Sequence, residues 1–385
     1  MVIDAAQLVL EVSPERQARG WAQSQSASSP TTRWQIYLNQ ICLDACLAWL
    51  HEEGHRQASP WPQQHATALA SIWEVVNGTA IAVDGQRWVL LPTEAIDAEE
   101  LRVPQEWVDS PEWAADYYIS VQVNPDEGWV RLGGYCSHLQ LKERGHYDAG
   151  DRTYCVTDDE WIPAIETLWV TRHLCPEEET RAPIAPLPTL TLEQAETLLQ
   201  RLGDPALTLP RLAVPFERGG ALLAHAGWRQ RLAERRRGLP EQRSILDWLQ
   251  SGVSGLAQQV GWSVITYQPS GVGARSATTA SPSLAFAHPL AIAGQPYQLQ
   301  VMPLDPANPR IWRFELRSLS VGGSIPAGVT LRLLTEDLQP FPDNTCRSTA
   351  DVDCLYIEVE LEPGEGLVWE VEPTPADYER EILRF

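Results

Sequence analysis

The sequence predicts an α+β protein: a mixed helix and antiparallel-sheet domain first, a helical connector next, and an antiparallel, Ig-like β-sandwich last. Three observations carry this. A helix-periodic apolar stretch opens the chain, alternating strand patterns follow it, and six short strands punctuated by Pro and Gly fill the last 120 or so residues. A length of 385 residues allows two to three domains of about 150 residues each. The composition shifts place the boundaries at 1–180, 181–243 and 244–385.

The stretch from Trp21 to Arg33 is polar and serine-rich and reads as a loop or frayed segment. In the helix that follows, Ile36, Ile41, Cys42, Leu43, Ala45, Cys46, Trp49 and Leu50 form a broad buried face, and Gly54 stops it. Residues 72–92 hold two strands around the turn signals Asn77-Gly78 and Asp84-Gly85. Residues 116–138 read as a hairpin, with Ile119, Val121 and Val123 alternating before the turn at 124–128, and a helical stretch over 158–174 closes the domain.

The connector opens with a proline-rich, acidic linker at 176–190. Thr191 and Gln194 then make a capping-box start for a short helix that Gly203 and Pro205 end. Ser244 caps a further helix whose Ile245, Leu246, Trp248, Leu249, Val253, Leu256 and Val260 share one face. In the last domain, the alternation from Ile357 to Glu362 and the turn PGEG read as a half-exposed antiparallel hairpin. There is no internal repeat.

Apolar residues make up 44% and charged residues 21% of the chain, which fits a globular protein and excludes a largely disordered one. The net charge of -22 repels phosphate backbones, so nucleic acid is a poor partner. The basic side is 28 Arg and a single Lys, Lys142, which has no glycine-rich approach. A Walker-type phosphate loop is thereby excluded. The sixteen tryptophans are expected mostly in cores. The chain start lacks a basic, apolar signal pattern, no run approaches 18 apolar residues, and the seven cysteines have no framework spacing. A reducing cytoplasm is the expected setting, with no membrane.

The sharpest chemical motif is His51-Glu52-Glu53-Gly54-His55, the H-E-x-x-H spacing that places two imidazoles and an activating glutamate around zinc when it lies on one helix face. Here Gly54 falls between the histidines at a helix end, where that geometry is expected to be lost. Cys42 and Cys46 are four apart on a helix and read as core. Cys136 with His138, and His173 with Cys175, each offer two metal ligands without a second pair, and Cys346 and Cys354 read as free thiols. His146, Asp148, Asp151, Arg152 and Cys155 are the residue types of a cysteine nucleophile with partners, but Asp148-Ala-Gly-Asp151 reads first as a turn whose side chains bond local backbone. Ser254 lacks the G-x-S-x-G context, and Gly271-Val272-Gly273 opens no helix.

Between Arg211 and Arg243 stand eight Arg and three Glu, a basic segment in an acidic chain. It can dock an acidic partner through Trp228, Arg229, Arg231, Arg235, Arg236 and Arg237, or pair internally with the tail from Thr335 to Glu381, which has fourteen acidic and two basic residues.

The phrases LRVPQEWVDSPEWAADYYISVQVNPDEGWVRLGGYCSH, YDAGDRTYCV, LCPEEETRAPIAPLP and LPRLAVPFERGGALLAHAGWRQRLAERRRGLP resemble the cyanobacterial domain-of-unknown-function 1822 family, over almost the whole chain. The helix WQIYLNQICLDACLAWL and the segment SILDWLQ resemble its N-terminal and central helices. The resemblance carries no catalytic residues. By association it implies a partner among caspase-like CHAT-domain proteins or sigma factors, in a cyanobacterial cytoplasm. The expected function is a non-enzymatic interaction or regulatory protein, an adaptor without cofactor. A zinc-dependent hydrolase using His51, Glu52 and His55 is the alternative.

Overall fold

Serine followed by proline starts two helices, the second inside the stretch that reads as loop. After strand β1 (Leu8–Glu11), Ser13 accepts the Arg16 amide and Pro14 opens helix α1 (Pro14–Gln23). Ser29 accepts the Thr32 amide at 3.1 Å, and Pro30 opens the long helix α2 (Pro30–Glu52). Proline suits a first helical turn because its missing N–H has no partner there. The loop expected over 21–33 is therefore the end of α1, a 3-10 turn and the start of α2. The computed structural model describes residues 8–62, 66–95, 100–175, 177–267, 283–305, 308–375 and 378–385. They fall into two units, residues 1–239 and 240–385.

In the first unit, α2 buries Ile36, Ile41, Cys42, Leu43, Ala45, Cys46 and Leu50 and packs against a sheet. Strand β2 (Ser59–Trp61) and helix α3 (Ala66–Trp73) precede the hairpin β3 (Thr79–Val83) and β4 (Gln86–Thr93). Asp84 and Gly85 both take positive φ, 46° and 81°, as the two-residue turn requires. Strand β5 (Glu100–Pro104) and helix α4 (Gln105–Asp109) lead to the hairpin β6 (Tyr117–Asn124) and β7 (Trp129–Ser137). The six-stranded sheet has the order β1-β7-β6-β4-β3-β2 and curls as a half-barrel. It is mixed rather than purely antiparallel: β4 and β6 run parallel, with Trp88 opposite Tyr117. The intervening chain, with β5 and α4, is long enough for that crossover.

Helix α5 (His138–Arg144), strands β8 (His146–Asp148) and β9 (Thr153–Thr157) and helix α6 (Glu166–Leu174) follow. A small antiparallel sheet has the order β5-β9-β8. Residues 178–190 have no regular secondary structure. Helices α7 (Leu192–Leu202), α8 (Phe216–Ala224) and α9 (Ala226–Arg236) belong to the first unit, with α9 against α3, α7 and α8. Thr191 and Gln194 close both bonds of the capping box on α7.

In the second unit, the single amphipathic helix expected after Ser244 is two, α10 (Ile245–Ser251) and α11 (Gly255–Gln259), because Gly252 turns the chain at φ 84°. Among the described residues nine strands follow: β10 (Ser263–Tyr267), β11 (Ser283–Ile292), β12 (Gln295–Pro303), β13 (Ile311–Ser318), β14 (Thr330–Thr335), β15 (Thr345–Arg347), β16 (Cys354–Glu360), β17 (Gly366–Glu372) and β18 (Ile382–Arg384). They form two antiparallel sheets, β10-β11-β12-β13-β16 and β15-β14-β17-β18. One core takes Phe286, Leu299, Val301, Phe314 and Ile357 from the first sheet and Leu331, Leu333, Trp369 and Val371 from the second. Strands β16 and β17 are not the hairpin their alternation suggests. The Pro363–Gly366 turn, with Gly364 at φ 93°, passes the chain from one sheet to the other. Alternation alone marks one buried face per strand and cannot name the neighbour.

Candidate functional site

Helix α9 carries the arginines expected to form a docking surface, and its 100° turn per residue sends them in different directions. Trp228 is buried and stacks on His225 at 4.2 Å. Arg229 is buried and donates to the Leu223 carbonyl at 2.7 Å and to Ser71 Oγ. The Arg236 guanidinium lies beside Glu74, itself buried, and also donates to the carbonyls of Leu202, Asp204 and Leu207. Arg237 reaches the other Glu74 oxygen at 3.3 Å and the Ala70 carbonyl. Trp228, Arg229, Arg236 and Arg237 therefore cannot line an exposed contact surface, because each is spent inside the first unit. Arg231 and Arg235 both pair with Glu196 on α7 at 3.1 Å. Burial works against the Glu196 charge, yet the two guanidiniums hold its carboxyl below the ordinary glutamate range. These pairs are internal to the first unit: Arg236 and Arg237 meet Glu74, and Arg231 and Arg235 meet Glu196. Arg243 does meet that tail, at Glu381, 2.8 Å away.

The same device recurs elsewhere in the first unit. Glu106 is buried between Arg152 and Arg211, at 2.9 and 2.8 Å. Arg211 also donates to the backbone carbonyls of Asp151 and Arg152. Asp116 accepts a two-pronged contact from Arg181, at 2.9 and 2.7 Å, and another from Thr180.

The two histidines of the HEEGH motif part company. His51 is in the last turn of α2, and its Nε2 meets the Ala58 carbonyl at 2.8 Å. Gly54 takes φ 102°, so His55 leaves the helical path. His55 stacks on Trp169 at 4.0 Å and pairs with Asp84 at 2.8 Å. With Glu52 exposed, the zinc-hydrolase reading loses the shared helix face it depends on. Cys42 and Cys46 are buried as expected, and burial first, then the neighbouring Cys46, pushes the Cys42 thiol well up. Cys136 is buried too, its thiol pushed up to about 12. His138 is buried, with Nε2 at the Val108 carbonyl and Nδ1 accepting the Ala182 amide. Gly271, Val272 and Gly273 lie outside the described residues.

The HYDAGDRTYC segment forms β8, a turn and β9. Asp148 Oδ1 accepts the Gly150 amide at 2.8 Å, so the turn reading of Asp148–Asp151 holds. The outer face of the β5-β9-β8 sheet carries charge: Arg102 pairs with Glu100, Asp148 and Asp151 at 2.7–2.8 Å. Through these contacts, with Arg102 foremost, the Asp148 carboxyl is held below its ordinary range. His146 Nε2 lies 3.4 Å from Glu100 Oε1. Beneath them Cys155 is fully buried, and burial raises its thiol, which does not suit a nucleophile that must ionise. One ligand atom from each of Glu100, His146 and Cys155 lies within 4.8 Å of the others.

One surface feature escaped the sequence reading. Trp21, near the end of α1, and Trp34, on the first turns of α2, are 40% and 38% exposed and meet edge to face at 6.1 Å. Arg33 lies over the Trp21 ring at 3.7 Å, and Tyr37 supports both indoles from below. Trp34 Nε1 donates to Glu94 at 2.6 Å. The signal was present as two tryptophans outside the apolar face of α2, but it needs the α1–α2 corner to bring them together.

A family model described as "Protein of unknown function (DUF1822)" matches residues 10–384. No curated protein matches the chain, and no solved structure does. No helix among the described residues is long and apolar enough to cross a membrane.

Proposed function

We propose that this chain, which belongs to the DUF1822 family over residues 10–384, is a non-enzymatic protein-interaction or regulatory protein. It would act as an adaptor in a cyanobacterial signalling or protease-linked module. The observation that carries the reading is the Trp21–Arg33–Trp34 cluster. Tryptophan and arginine dominate interface hot spots, because each supplies a large contact area at low entropic cost. Here the two indoles are half exposed and already fixed by their mutual contacts, so little ordering remains to be paid on binding. Arg33 Nε is buried without a hydrogen-bond partner. Among the described residues its guanidinium is matched to an indole rather than to a carboxylate. Residues 14–33 carry Arg16, Arg19 and Arg33 against Glu15 alone. An acidic segment of a partner protein fits that chemistry, with a carboxylate on the Arg33 guanidinium beside Trp21. A CHAT-domain protein or a sigma factor is the candidate partner.

This reading takes the two C-terminal sheets, which share one core, as an Ig-like β-sandwich. It takes the reducing cytoplasm as the compartment, in keeping with seven free thiols. The test is capture from native cells, followed by titration of the purified captured protein against wild type, Trp34→Ala and Arg33→Glu. Both variants should weaken Kd about 30-fold or more, the hot-spot range, with an unchanged circular dichroism spectrum. Equal affinity in all three would remove this surface from the reading. No saturable partner at all would remove the adaptor.

A further inference from the structure

Three different metal-ligand types converge on the outer face of the β5-β9-β8 sheet. In the antiparallel register His146 lies directly across from Cys155, and Cys155 directly across from Arg102. Directly opposed residues share a face, and Glu100, two before Arg102, shares it too. We propose that Glu100 Oε1, His146 Nε2 and Cys155 Sγ bind one zinc ion, with the fourth tetrahedral position left to water.

The geometry is close to what zinc requires. Tetrahedral arms of about 2.0–2.3 Å place ligand atoms about 3.3–3.8 Å apart. The Glu100 and His146 atoms already stand 3.4 Å apart, and all three lie within 4.8 Å. The side chain of His146 is 61% exposed, so its ring is free to close the remaining gap. The surroundings orient the ligands as second contacts do in metal sites. Arg102 holds Glu100 through Oε2 and leaves Oε1 available, and Thr153 Oγ1 lies 3.4 Å from the Cys155 sulfur. Glu100, Asp148 and Asp151 surround the single Arg102 cation, so the face carries surplus negative charge before the thiol ionises. Binding a dication displaces the Cys155 proton to solvent and leaves a thiolate on the metal. A thiolate with an imidazole selects zinc over the hard cations magnesium and calcium. The competing account is an ion-pair network centred on Arg102 that needs no metal.

Cobalt(II), a spectroscopic substitute for zinc, separates the two. The full chain, stripped with a chelator under reducing conditions, is titrated with cobalt(II) and then with competing zinc. The proposal expects a thiolate-to-cobalt charge-transfer band that saturates at one equivalent and is absent in Cys155→Ser. His146→Ala and Glu100→Gln should each weaken zinc about 10-fold or more. No saturating band in wild type, or the same band in Cys155→Ser, overturns it. Should Cys155→Ser fail to fold, His146→Ala decides, since that side chain is largely exposed: unchanged zinc affinity overturns the site.

Discussion

Arg235, Arg236 and Arg237 are one charge run in the sequence and three different situations in the fold. Arg235 is half exposed against Glu196, whereas the Arg236 side chain is 1% exposed, beside a Glu74 side chain that is wholly buried. Removing one member of a buried pair leaves the other charge without its counterion in a poorly solvated site, and the three carbonyls that Arg236 satisfies lose their donor. Arg236→Ala should therefore cost about 3–5 kcal/mol. Arg235→Ala should cost less than about 1 kcal/mol, because solvent screens its pair. Urea midpoints of the two variants measure the difference, and equal midpoints would show that burial does not set the cost. Reversing all three charges together would put three carboxylates against Glu74 and Glu196. Such a variant would report on the loss of α9 packing before it reported on any partner.

At the scale of elements, the irregular segment after α6 is more than a linker. Thr180 and Arg181 grip Asp116, the Thr180 carbonyl accepts the Leu139 amide, and the Ala182 amide donates to His138. Burial lowers the His138 pKa below its ordinary 6.5, so the neutral ring is the folded form and its Nδ1 can accept. Burial alone would raise Asp116, but Arg181, the Arg87 amide and Thr180 hold it below its ordinary 3.8. Both folded values are depressed, so both contributions are present above the ordinary values and are lost as pH falls through the folded ones. Acid should release the strap in two steps, His138 first, below pH 6.5, and Asp116 last, below pH 3.8. Hydrogen exchange at the Ala182 amide, corrected for its intrinsic rate, should lose protection in that order. A profile with no loss of protection ahead of the Asp116 step would contradict the role of His138. Composition marks this stretch as proline-rich coil, and it is coil. That it is tied down depends on Asp116 and His138, which the chain brings near only through the β4–β6 crossover and α5.

For the whole molecule, what could be read in advance follows one physical division. Local chemistry was legible: the Asp84-Gly85 turn, the capping box at Thr191 and Gln194, and the buried face of α2 all depend on residues a few positions apart. Pairing was not, because it is set by contacts distant in sequence. The parallel β4–β6 pair and the separation of β16 from β17 into different sheets are the cases in point. The sites divide in the same way. His51 and His55 could be judged from Gly54 between them, whereas the convergence of Glu100 on His146 and Cys155 spans 55 residues.

The arginines taken inside also change what an approaching molecule senses. Glu74 faces Arg236 and Arg237, and Glu106 faces Arg152 and Arg211, so each buried carboxylate withdraws two cations from the solvent-facing side. Asp116, Glu234, Glu315, Glu336 and Glu381 are buried too, so the solvent-facing side keeps a strong net negative charge but has lost those guanidiniums as contact points. An acidic partner drawn to Arg33 must first cross that repulsive field. Added salt, with a screening length of about 10 Å at 0.1 M, should hasten encounter even as it loosens the final contact. Stopped-flow association between 20 and 300 mM salt, on the order of the range over which screening changes most, would show an on-rate that climbs, the reverse of electrostatic steering.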